Sequence, residues 1–431
     1  MKLRSIFYKT VIKVFNSGMM FESLYPELLP DLNERDKRQL INLVNQFFRN
    51  FPIVENILIN KIDKKIDKQK FKVSMLLLCA GVEYFYLNSS KDYAVVNDYV
   101  NIAKKTLGLH PSKYINAILR KMTELKLGED ELNSMDNILL SHPEWIKDRI
   151  FKYSPKEVAE NILKFNQSIP SLYIRVNNYK TTKKELVELL KIENIEVKNV
   201  EYFPDFLKMI KGNPIHSKLF DEGMFYIQDP SHSMPVLVLQ PKKNEKILDL
   251  CSAPGGKATY IQELTKNKTK LFLNDISQKK KKLIINNFKR LGVDFNKLTF
   301  QEAEKFQSFD EFDKVLIDAP CSGSGNFRRH PESRWNKDEE QIELLKKLQL
   351  DILKRASKYV KKGGVIVYST CSIFNDENNE IVEKFLEYDQ DYILDNVEGF
   401  DTFKISDGMF AVNPGTHHYE GSFAARIKRI R

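Results

Sequence analysis

The sequence predicts three parts in series: an all-α bundle over residues 1–130, a small α+β subdomain over 138–235, and an α/β domain on a largely parallel sheet over 236–431. Three observations carry this reading. Helical periodicity runs through the first part, and strand and helix patterns alternate from about residue 236. Between them stands Lys246 to Lys257, KILDLCSAPGGK, a buried strand entering a glycine turn that opens a helix.

With 431 residues the chain can build two or three full cores. Hydrophobic residues at 42% and charged residues at 29% fit a soluble globular protein and argue against a disordered one. A formal charge of +10 favours an anionic partner, nucleic acid ahead of a membrane surface. The four cysteines, 79, 251, 321 and 371, are too few for a disulfide framework and form no CxxC pair, so a reducing cytosol is expected and a structural zinc is not. The amino-terminal apolar residues are broken by Lys9 and Lys13, unlike a signal peptide. The block Met75 to Leu87 is short and contains Glu83, so it reads as a core helix and not a membrane span. A cytoplasmic protein is expected.

In the first part, Leu40, Ile41, Val44, Phe47 and Phe48 share one helix face. Met75 to Leu87, apolar nearly all round, supplies the central buried helix. Tyr93 to Met122 gives two more, broken around Gly108 to Pro111. The run Lys61 to Lys72, interleaved with Asp63 and Asp67, reads as a solvated face. A polar linker follows over Lys126 to Ser134. Then HPEWIKDRIFKY reads as a helix, SLYIRVN as a strand and TTKKELVELLKIE as a helix capped by Thr182, with FDEGMFYIQDPSHSM completing the subdomain. Arg175 and Asn177, at the strand end, are candidate contacts to a nucleic-acid backbone.

The third part supplies strands at 246–249, 270–274, 298–301, 314–318, 365–369, 392–394 and 422–427, the first five separated by helical patterns. Asp249 lies near a carboxyl strand end, where open α/β sheets hold ligands. Pro254, Gly255 and Gly256 bend the chain and let backbone N–H groups approach a ligand. The GxGxxG and GxxxxGK[ST] spacings are both absent, and the turn alone is compatible with a dinucleotide, a phosphate or no ligand. Asp275, after LFLND, is placed either to accept from two ribose hydroxyls or to cap the next helix. Glu302 follows the third strand and is a candidate contact to an adenine, with Glu304 beside it.

The fourth strand ends in KVLIDAPCSGSG and the fifth in GVIVYSTCSI, which brings Asp318, Cys321 and Cys371 to the ligand edge of the sheet. Gly323 and Gly325 read as space for a planar substrate. Two reduced cysteines in polar turns are hard to explain as packing, because a structural Cys is normally inert and embedded. A thiolate adds to C6 of a cytosine and makes C5 able to take a methyl group. Chemistry alone does not choose which thiol attacks. Arg328, Arg329 and His330, in a stretch read as loop, are placed to meet phosphates. His417 and His418 are adjacent and incidental, and no metal is expected.

KDYAVVNDYVNIAKK and KYINAILRKM, through Ala94, Val96, Asn97, Val100, Asn116, Leu119 and Arg120, resemble the NusB family, whose helical bundle is an RNA-binding module. LDLCSAPGGK, DAPCSGSGNFRRHPESRW, YSTCSIFNDEN and the closing GSFAARIKR are similar to the signature motifs and terminal strand of the RsmB (Sun/Fmu) family of RNA cytosine-5 methyltransferases. That resemblance implies a class I Rossmann-like fold, S-adenosyl-L-methionine as methyl donor and an unpaired cytosine of 16S rRNA as substrate. Carried over, Cys371 is the nucleophile and Cys321 promotes product release. Asp318 holds the methionine amino group beside the cytosine and Asp275 the ribose. Cys251, Ser252, Ala253, Pro254, Gly255, Gly256 and Lys257 wrap the methionine and ribose. Glu302 stands where the family more usually has Asp, so the adenine contact stays open between Glu302 and Glu304. A monomer acting without metal or membrane is expected. The same chemistry on tRNA, and an RNA-binding assembly factor with a vestigial catalytic half, are the rival readings; the intact Asp318, Cys321 and Cys371 count against the second.

Overall fold

In the computed structural model, which describes residues 2–87 and 92–431, the amino-terminal helices are α1 (Lys2–Ser17), α2 (Glu34–Lys61), α3 (Phe71–Tyr86), α4 (Asp92–Thr106) and α5 (Leu109–Glu124). α3 is buried from Val73 to Glu83, as a segment apolar on nearly every side must be, and the other four pack on it. The one charge in that buried span is matched: Glu83 accepts from Arg4 Nη2 at 2.6 Å and from the Tyr99 hydroxyl at 2.9 Å. Asn33 caps α2 by accepting from the Asp36 amide at 2.9 Å. The break between α4 and α5 falls at Leu107 and Gly108, and Pro111 sits in the first turn of α5, where no intrahelical N–H is needed.

This compact unit comprises residues 1–168 together with 327–338. It also contains α6 (Glu144–Tyr153) and α7 (Lys156–Gln167). The polar stretch expected as a linker holds a helical turn, Glu129–Leu132, because Leu132 packs with Ile53 and Ile57. The segment 327–338, far along the sequence, is built into the unit. Trp335 donates to the Phe48 carbonyl at 2.9 Å and stacks edge-on against Phe51 at 4.7 Å. Arg334, fully buried, donates to the carbonyls of Asn166 at 2.6 Å and Ser141 at 3.1 Å and to Gln167 Oε1 at 2.8 Å.

The second unit comprises residues 169–326 and 339–431. Its first sheet joins β1 (Tyr173–Val176), β2 (Glu196–Asn199), β3 (Phe206–Lys211) and β4 (Phe225–Ile227), antiparallel in the order β2-β3-β1-β4, with α8 (Lys183–Ile192) packed on it. Thr182 and Glu185 form the capping box of α8. α9 (Met234–Leu239) then leads into the large sheet.

That sheet takes β5 (Lys246–Asp249), α10 (Gly256–Leu264), β6 (Lys270–Asn274), α11 (Lys281–Leu291), β7 (Lys297–Thr299), β8 (Phe312–Asp318), α12 (Glu339–Ser357), β9 (Val360–Thr370) and α13 (Asn379–Tyr388). The chain closes with β10 (Tyr392–Leu394), β11 (Lys404–Ser406), β12 (Met409–Val412) and β13 (Ser422–Arg429). The order is β11-β12-β13-β9-β8-β5-β6-β7, parallel from β9 to β7 and antiparallel beyond. α10 and α11 contribute Ile261, Ile284 and Phe288 to one core cluster, while α12 and α13 contribute Leu353 and Phe385 to another. Helices separate β5, β6 and β7, and β8 from β9. β7 and β8 are joined instead by a single 3-10 turn at Ala303–Lys305, a correction to the expected helix there. The polar residues of QEAEKFQSFDEF leave too few apolar positions for a helix face. β6 and β7 lie on one side of β5 and β8 on the other, so the strand order switches at β5, where α/β sheets open a crevice.

Candidate active site

The crevice is floored by the turn after β5. Gly255 sits at φ +99°, a conformation that favours glycine, and opens α10. The Ser252 amide donates to the Asn274 carbonyl at 2.8 Å, and the Ala253 amide to Asp275 Oδ2 at 2.9 Å. Asp275 Oδ1 accepts from the Ser277 amide at 2.8 Å, so this carboxylate both ties the turn and caps the chain entering α11. Asn274 donates to the carbonyls of Leu250 at 3.1 Å and Gln301 at 2.9 Å, which fixes the tips of β5, β6 and β7 together.

Arg175 holds this floor from below. It is fully buried on β1, pairs with Glu263 at 2.7 Å and donates to the Gly256 carbonyl at 2.8 Å and Thr259 Oγ1 at 3.1 Å. Its guanidinium lies between the rings of Tyr226, at 5.1 Å, and Tyr260, at 4.5 Å. Asn177 is also buried, donating to the carbonyls of Gly223 and Leu291. Neither meets a nucleic-acid backbone, contrary to the expectation. The all-buried β1 turns Arg175 inward and Asn177 follows directly after it, and each finds neutral or charged acceptors.

From the turn, Lys257 Nζ reaches Asp318 Oδ2 at the end of β8, at 2.6 Å. Burial opposes the Lys257 charge, yet Asp318 and its hydrogen bond raise the pKa above the ordinary lysine value. Asp249 lies fully buried nearby. Burial first, and then the Asp318 charge, push its carboxyl up to about 8. Asp249 Oδ1 and Ser252 Oγ are buried with no hydrogen-bond partner among the described residues.

The two cysteines emerge from the adjacent strands β8 and β9, and their sulfurs are 3.2 Å apart. The Cys321 thiol is pushed well up, first by its hydrogen bond to Cys371 and then by burial. The turns carrying them are locked together. Glu377, fully buried, accepts from the Ser322 amide at 2.7 Å, Gln349 Nε2 at 3.0 Å and the Ser372 hydroxyl at 2.6 Å. The Ser322, Ser324 and Ser372 hydroxyls contact one another at 3.1 and 2.9 Å. Gly325 donates to the Cys371 carbonyl at 2.9 Å, and a Cβ there would meet Gly421 Cα at 2.5 Å. Its space is therefore filled by the Cys371 turn and not left for a substrate. Glu377 is the residue that sequence reasoning missed: it stands inside the quoted stretch YSTCSIFNDEN, six residues past Cys371, but its partners come from two separate turns and from α12.

The remaining candidates have other partners. Glu302 follows β7 with a 44% exposed side chain paired to Lys305, which holds its carboxyl below the ordinary value. Arg328 belongs to the helical unit, 6% exposed with its guanidinium 4.4 Å over the Phe165 ring, so it is no free phosphate contact. Phe327 and Trp335 draw that stretch inward, and His330 stands 3.9 Å from Glu332. His417 Nδ1 accepts from the Asn413 amide, and its ring packs on Phe403 at 5.0 Å. Among the described residues no group of three His, Cys, Asp or Glu is arranged for a metal, and no helix is long and apolar enough to cross a membrane.

With this geometry in place, known proteins are informative. Residues 236–428 match the family model described as 16S rRNA methyltransferase RsmB/F, residues 1–124 that of the NusB family, and residues 142–216 that of the RsmF/B-like ferredoxin-like domain. The chain is 32% identical to Ribosomal RNA small subunit methyltransferase B of Photorhabdus laumondii, over 99% of this chain and 98% of the relative. It is 32% identical to the Probable ribosomal RNA small subunit methyltransferase B of Bacillus subtilis, over 84% and 82%. The crystal structure of PH0851, 24% identical, shares the fold with a TM-score of 0.81 over 99% of this chain and 98% of that one.

Proposed function

The chain belongs to the RsmB/F family of rRNA methyltransferases, with a NusB domain ahead of the catalytic part, and on that premise we propose that it methylates C5 of an unpaired cytosine in 16S rRNA using S-adenosyl-L-methionine. The observation that carries the proposal is the 3.2 Å approach of the Cys321 and Cys371 sulfurs at neighbouring strand ends, beside the Lys257 and Asp318 pair of the glycine turn. In this reading 1–130 anchors RNA, 138–235 bridges, and 236–431 carries the chemistry.

The residues present fit the donor. Orphaned buried oxygens at Asp249 and Ser252, and the carboxylates of Asp275 and Asp318, suit a ligand bearing an ammonium, a sulfonium and ribose hydroxyls. Cys251 to Lys257, Asp275 and Asp318 would hold it, and the adenine end stays open between Glu302 and Glu304. When bound, S-adenosylmethionine supplies an electrophilic methyl group.

The chain does the rest. A cytosine must leave its stack before C6 is reachable, so the substrate site is single-stranded or flipped. The Cys371 thiolate forms the S–C6 bond, and the ring electrons move toward C5, which becomes the nucleophile. The Lys257 ammonium interacts favourably with a Cys371 thiolate, and the hydrogen bond between the two sulfurs, then burial, push the Cys321 thiol up. The family resemblance gives Cys371 the attack and Cys321 the release, and the Lys257 charge supports that order. Once C5 is substituted, a base takes its proton, the C5–H electrons restore the C5–C6 double bond, and the S–C6 electrons leave with sulfur as the Cys371 thiolate.

Labelled S-adenosylmethionine, unmodified 16S rRNA and bulk tRNA test the substrate. Label is expected in 16S rRNA as 5-methylcytosine; label in tRNA alone, or at another base, contradicts the proposal.

A further inference from the structure

The helical unit carries a groove of about 620 Å³ between α4 and α5 that the catalytic chemistry does not use. Its lining is mixed: Tyr93, Val100 and Leu109 supply apolar surface, Tyr93 and Leu109 being 80% and 64% exposed, and Asn97 and Asn116 supply polar groups. Around these stand the exposed cations Lys104, Lys113 and Arg120. Among the described residues no carboxylate lines the groove, and none pairs with these three. Lys113 and Arg120 are seven residues apart on one helix face, roughly 10 Å along the axis. Unpaired positive charges around a mixed lining with an exposed aromatic ring suit a nucleic-acid strand, whose phosphates take the charges while a base stacks on the ring. A strand buried in duplex offers no free base faces.

We propose that this groove binds an unpaired, non-reacting stretch of the rRNA substrate, with Lys104, Lys113 and Arg120 on its phosphates and Tyr93 against a base. This rests on the rRNA reading above and gives the RNA anchoring of residues 1–130 a definite groove.

The test measures full-length protein binding to unmodified 16S rRNA across a salt series. The variant K104E/K113E/R120E is expected to bind about tenfold or more weakly. Its log–log salt slope should shrink by about 2, at about 0.7 per phosphate contact on a single strand. Tyr93→Ala should weaken binding several-fold and leave the slope unchanged, because stacking carries no net charge. The variant K64E/K65E/K68E makes the same charge change on a solvated segment and should move the slope by less than half as much. Wild-type affinity and slope in the groove variant, or an equal effect in the control, overturn the proposal. So does unchanged rRNA binding with loss of a bound ribosomal protein, which would give the groove to a protein. Methylation of 16S rRNA by the wild type is scored alongside. An active wild type with an unaffected groove variant refutes the groove alone, whereas an inactive wild type refutes the substrate reading and the groove with it.

Discussion

The carboxylate of Glu377 accepts a 2.7 Å hydrogen bond from the backbone N–H of Ser322, a residue 55 positions away and next to Cys321. Its other oxygen takes the hydroxyl of Ser372, next to Cys371. One buried side chain therefore sets the spacing of the two sulfurs. Glu377→Ala strands the Ser322 amide and loosens both turns, at about 1–3 kcal/mol for a buried donor left unpaired. A misplacement near 1 Å at a reacting group costs on the order of 10²-fold. The expected result is a fall of about that size in kcat with little change in KM for rRNA, and partial rescue by Glu377→Gln, measured by steady-state methyl transfer.

Lys257 favours a thiolate at Cys371. Removing its charge must raise the pH at which that thiolate forms. In a Cys321→Ala background, Lys257→Met should shift the pH profile of Cys371 alkylation by iodoacetamide to higher pH. Mass-spectrometric rates across pH 6 to 10 check this, and an unchanged profile would remove Lys257 from the mechanism.

Arg175 and Glu263 are both buried to within 1%, and each is the other's counter-charge. Breaking such a pair costs about 3–5 kcal/mol. Arg175→Met should lower the melting temperature by roughly 10 °C for a unit of this size and weaken S-adenosylmethionine binding, because the Gly256 carbonyl loses its donor. Calorimetry and thermal unfolding read the two effects separately.

Asp249 gives a pH dependence. Its carboxyl rises from 3.8 to about 8 on folding. Between those values the folded chain holds a proton that the unfolded chain has lost, so stability falls as pH rises through that window. Wild type should lose melting temperature relative to Asp249→Asn from pH 5 to about 8, with parallel curves above.

Strands covered on both faces were the most legible elements. β5 and β6 run as their apolar stretches predict, because a short hydrophobic run closed by turn residues leaves little freedom of register. The cysteine pair was readable for the same reason: both follow such runs, and parallel neighbours align their ends. What stayed hidden depends on distant partners. Arg175 looks like a strand-end cation until Glu263 and two tyrosine rings enclose it. The stretch 327–338 looks like loop until Phe48 and Asn166 accept from Trp335 and Arg334. β11 is short and mostly exposed and is held by pairing with β12, which itself pairs antiparallel with β13. Glu377 announces no role in a polar run because its acceptors serve two separate turns.

The most direct measurement is denaturing electrophoresis of each cysteine variant after incubation with 16S rRNA and S-adenosylmethionine. Cys321→Ala should accumulate a covalent protein–RNA band, since attack proceeds while release is impaired, and Cys371→Ala should give neither adduct nor methylated RNA. An adduct formed by Cys371→Ala, or methylation by it at the wild-type rate, would contradict the assignment of Cys371 as the nucleophile.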